Sequence, residues 1–145
     1  MENNERTVSR NALLQKEELE KVKVDLGKGE FVYVKQMTGR ERDNFEQSLL
    51  KKHKDNKGNV VSFEQSTEDF RAKLAVCTVC DEEGKLLFLP GDFSLLSQNM
   101  SAKRLEIIIN AAQKLNAISE EDKEALVKNF DAGQPGNSLS DSAEN

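Results

Sequence analysis

Apolar and polar residues alternate through KVKVDLGKGEFVYVKQM, residues 21 to 37: Val22, Val24 and Leu26, then Phe31 with Tyr33 or Val32 with Val34. Alternation on both sides of the glycine-flanked GKG predicts a β-hairpin over about 21–36. A hairpin alone is marginal in water, so it must lie on helices or on another chain's sheet, and its free edges are candidate pairing surfaces.

From residue 38 the period changes. Thr38 and Glu41 in TGRERDNFEQSLL make the S/T-x-x-E capping box, and a helix over about 39–53 should follow with Phe45, Leu49 and Leu50 as its narrow apolar stripe. HKDNKGNVVSFEQS reads as a polar, glycine-containing connection. Ser66 to Asp69 supply a helix start, and Phe70, Leu74 and Cys77 follow on one face of a helix over about 67–80. Ala72, Ala75, Val76, Val79 and Cys80 make that helix apolar around most of its circumference, as a central core helix should be.

DEEGKLLFLP predicts a turn and then a short strand or extended segment. One or two helical turns are expected over about 92–98, through Phe93, Leu95 and Leu96. SAKRLEIIINAAQKLN is capped by Ser101, and Leu105, Ile108, Ile109, Ala112 and Leu115 form its stripe over about 101–116. Ile107 and Ala111 lie off that stripe, so the helix is either central or shared with another subunit. A last helix over about 119–130 has Ser119 as cap and Glu120, Glu121 and Asp122 in its first turn.

The expected fold class is mainly α with a small β-hairpin, an α+β arrangement. Residues 1–20 form a leader, either a short helix or unfixed, 21–130 one folded domain, and 131–145 a flexible acidic tail. At 145 residues, 37% hydrophobic and 32% charged, the chain has material for one core. No apolar run approaches the ~18 residues of a membrane span, so a soluble, cytoplasmic protein is expected.

Net charge −5 disfavours a general nucleic-acid binder, and Lys51, Lys52, Lys54 and Lys57 around His53 read as a solvated loop. Cys77 and Cys80 have C-x-x-C spacing, which raises zinc or a redox dithiol. A closed zinc site lacks ligands, since His53 is the chain's single histidine. A thioredoxin-like dithiol opens its helix, whereas this pair falls late in one, so core packing is the preferred reading. GKG lacks the spacing of a phosphate loop, and Asp81, Glu82 and Glu83 lack that of a calcium loop. No catalytic, cofactor or metal residue emerges. The candidate partner or self-association surface is Phe31 and Tyr33 on the hairpin with Leu105, Ile107, Ile108 and Ala111 on the helix over 101–116.

VDLGKGEFVYVKQMTGRERDNFE, FRAKLAVCTVCDEEGKLLF and RLEIIINAAQKLNAISEEDKEALVKNF, in this order and at these distances, resemble the tail assembly chaperones of long-tailed bacteriophages and prophages over roughly residues 10 to 130. The resemblance implies a non-enzymatic protein without cofactors. Many copies, or a homo-oligomer, keep the long helical tape measure protein soluble in the host cytoplasm and give way as tail tube protein polymerises, leaving none in the mature virion. The chain looks like the short form, the tube protein being contacted mainly by a frameshifted longer one; neither nucleic acid nor membrane is implied as partner. The alternative is another structural or adaptor protein of the phage tail region.

Overall fold

A computed structural model of the chain describes residues 4–65, 68–119, 121–122 and 124–125. Lys21–Gly27 (β1) and Glu30–Lys35 (β2) form an antiparallel hairpin, and the two loop residues Lys28 and Gly29 both have positive φ, 57° and 78°. Such a loop matches the right-handed twist of the strands it joins, and a glycine takes its second position without steric cost. Asp25 Oδ1 tightens it by accepting from the Gly27 amide at 2.8 Å.

The helix behind the hairpin, Gly39–Gln47 (α2), begins in a complete capping box: Thr38 Oγ1 accepts from the Glu41 amide and Glu41 Oε1 from the Thr38 amide. Lys35, itself buried, donates to the same Glu41 oxygen at 3.1 Å. Partial burial works to raise the Glu41 carboxyl, but Thr38 and the Lys35 ammonium outweigh it and hold it below its ordinary value.

The helix expected to run to residue 53 ends at Gln47, where the Ser48 hydroxyl turns back to the Phe45 carbonyl. Leu50–Lys54 (β3) and Val60–Gln65 (β4) then pair antiparallel as a second hairpin in place of the expected polar connection. Asp55 builds its turn, Oδ1 accepting from the amides of Lys57 and Asn59, with Gly58 at φ 87°. Phe70–Thr78 (α3) is shorter than the expected 67–80, because Asp69 has left-handed φ 60° and Val79–Cys80 (β5) joins β2. Cys80 therefore lies in a strand, opposite Tyr33.

A 3-10 turn at Pro90–Asp92 leads into Phe93–Asn99 (α4), and Ala102–Leu115 (α5) follows, capped by Ser101. The leader holds one short helix, Arg10–Leu14 (α1), with no buried residue. Ser119 and Asp122 cap each other, Oγ and Oδ2 each accepting the other's amide. Most of the expected last helix and the whole 131–145 tail lie outside the described residues.

Among those residues five α-helices stand beside five strands in two sheets, β1-β2-β5 and β3-β4. This mixed α+β architecture corrects the mainly α fold class with one hairpin: the second hairpin and β5 were missed. One core holds it together. Val24 and Val34 on the inner face of the larger sheet meet Leu74 and Ala75 of α3, Ile108, Ile109 and Ala112 of α5 and Phe45 of α2. Helix α5 packs on both the sheet and α3. No described helix is long and apolar enough to cross a membrane.

Candidate functional site

The expected partner residues separate into two groups. Leu105 and Ile108 are buried in the core and leave almost no surface for a partner, so they drop out of the candidate site. The reason is that α5 covers both α3 and the sheet, which takes a broader apolar face than one neighbour would. Ile107 and Ala111 are half-buried at the margin of that core.

Phe31 and Tyr33 stand on the opposite side of the sheet. Successive strand residues point to opposite faces, so with Val32 and Val34 turned inward, Phe31 and Tyr33 turn outward. Their rings meet edge to face at 5.6 Å and 89°, and Lys23 Nζ sits 4.2 Å from the Phe31 centroid. Phe31 is nevertheless 46% exposed. Beside it β1 is the outer strand of its sheet, with a backbone edge unpaired among the described residues.

A second surface is a groove of about 360 Å³ between α2, α3 and the segment leading into α4. Buried Phe45 closes its floor, and Val76, Cys77, Leu86, Phe88 and Phe93 line it. Glu41 and Lys73 line it too, Lys73 held by a 2.8 Å bond to the Ser48 carbonyl. Leu87 and Leu89, in the loop beside Leu86 and Phe88, are largely exposed.

The third surface is the β3–β4 hairpin, which pairs extensively with no other described element. Leu50, Lys52 and Lys54 share a face with Phe63 and Val60, and the bulge between His53 and Lys54 places Val61 opposite no single partner. Lys51, His53, Ser62 and Glu64 occupy the other face, where His53 Nε2 meets Glu64 Oε1 at 2.7 Å. Sequence reading passed over this surface. Its signal was a D-N-K-G-N turn beside β-branched Val60 and Val61 and aromatic Phe63.

Both cysteines are free, Cys77 half-buried and Cys80 buried. Burial pushes both thiols up, and the Glu41 carboxylate adds to this for Cys77. Thiolate is the reactive form, so alkylation by iodoacetamide at pH 8 should be slow for both in the folded protein and rise sharply in urea. Fast labelling of Cys77 without denaturant would contradict this. Among the described residues no three His, Cys, Asp or Glu side chains gather as metal ligands.

Comparison with family models, curated proteins and solved structures finds no match.

Proposed function

We propose that this protein is an assembly chaperone of the phage-tail type, holding a long helical tape measure protein soluble until tube protein displaces it. Two things support the reading: the resemblance over residues 10 to 130, and the outward aromatic pair Phe31–Tyr33 beside a free strand edge. The aromatic pair is the observation that carries it. An aromatic pair half-open to water, with lysines around it, offers apolar contact to one side of an amphipathic helix and charge to its flank.

The mechanism is physical. Each contact is weak, and repetition of the same surface along a long client supplies the avidity. Weak single contacts also let the polymerising tube displace the copies one after another. Net charge −5 keeps the loaded complex dispersed. The host cytoplasm is where this work would be done, and a frameshifted longer form would recruit the tube protein.

Phe31→Ser combined with Tyr33→Ser tests the reading, because both side chains lie on the face away from the core. The variant should keep its circular dichroism spectrum, while tape measure protein co-expressed with it moves to the pellet. Client that stays soluble would remove the sheet face from the binding surface.

A further inference from the structure

We infer that the β3–β4 hairpin of one copy seats in the groove between α2, α3 and the 81–93 segment of a second copy, joining copies head to tail. The two surfaces match in charge. Residues 50–65 carry Lys51, Lys52, Lys54 and Lys57 against Asp55 and Glu64, a net +2 in a chain whose total is −5. Residues 81–92 carry Asp81, Glu82, Glu83 and Asp92 against Lys85, a net −3.

They also match in apolar character. Val61 and Phe63 are 62% and 59% exposed on the hairpin, and Leu87 and Leu89 are 53% and 72% exposed beside the groove. Each is a liability alone, since an exposed apolar groove and a free hairpin edge both invite nonspecific association. Docking one into the other covers both. Lys52 and Lys54 stand on the apolar face of the hairpin, so hairpin against hairpin would oppose like charges, whereas hairpin against the acidic loop pairs opposite ones.

The hairpin cannot reach its own groove. It springs from the groove's border, where Ser48 is a lining residue, and Leu49 at its root is fully buried and fixes its direction of departure. Strands of five and six residues then carry the tip roughly 17 to 20 Å away. The occupant is therefore another copy. Because the two halves of the contact are different patches, the interface is heterologous and generates a ring or an open row. A row would present Phe31 and Tyr33 at regular intervals, but the contact between copies involves no client and is tested without one.

The test is analytical ultracentrifugation of the full chain over a range of concentrations. Wild type should show a mass that rises with concentration and falls with added salt, since part of the attraction is screened. Val61→Ser with Phe63→Ser, and separately Leu87→Ser with Leu89→Ser, should each weaken association roughly tenfold or more, as truncating buried anchors does. All four side chains are exposed, so circular dichroism should not change. The deciding sample is an equimolar mixture of the two variants. Each retains one intact half, so the mixture should form a 1:1 dimer and nothing larger. Wild type that is monomeric at every concentration would overturn the inference. So would a mixture that remains monomeric, which would point to pairing between identical patches.

Discussion

Phe45→Ala should lower the unfolding free energy by about 3–5 kcal/mol, the usual cost of removing a large buried aromatic. Phe45 is 1% exposed and meets Phe70 edge to face at 5.6 Å, and through this contact α2 is fastened to α3. Little else can substitute, because α2 is nine residues long and Phe45 is its one buried residue. The stability of a domain this size is about 5–15 kcal/mol, so the loss is a large share of the whole. A urea titration should show the midpoint falling by roughly 2 M, given a slope of about 1–3 kcal/mol per molar. Phe45→Leu, which keeps most of the volume, should cost much less. If Phe45→Ala moved the midpoint by only a few tenths of a molar, α2 would be held to the body by something other than this ring.

Asn116→Ala should cost about 3 kcal/mol, an unusually large effect for a residue at a helix end. Its side chain ties three segments together: Oδ1 accepts from the Met37 amide at 2.7 Å, and Nδ2 donates to the carbonyls of Ala112 at 3.0 Å and Lys35 at 3.3 Å. Its own carbonyl accepts from Arg42 at 3.2 Å. Truncation strands the Met37 amide where it is partly buried, and an unmade bond of that kind costs about 1–3 kcal/mol beyond the lost pairing. Hydrogen exchange should locate the damage, with protection falling at Met37 and at the end of β2 ahead of the core of α3. Uniform loss across the chain would mean that Asn116 acts on global stability and is no local clamp.

Much of the first half was legible because its signals are local. Alternation and a GKG turn are enough to specify β1 and β2, since strand faces and a two-residue loop depend on neighbours within a few positions. The Thr38–Glu41 box and the Ser101 cap read correctly for the same reason: a cap needs only residues three apart. The β3–β4 hairpin was missed because its apolar residues face solvent. Leu50 continued the apparent stripe of Phe45 and Leu49, which drew the helix on past Gln47, and no buried face existed to impose a clear period of two.

The sequence by itself determined where the chain caps, turns and alternates, and that Cys77 and Cys80 are packing residues rather than a metal pair. Tertiary structure alone decided which apolar faces are shared and with what. The extra breadth at Ile107 and Ala111 read equally well as an interface, until α5 was seen to cover the sheet and α3 together. Asn116 looked like an ordinary polar residue after a helix, and its partners at Lys35 and Met37 lie about eighty residues away in sequence. Contacts of that separation leave no period along the chain, because the energy that selects them arises only when the elements have already docked.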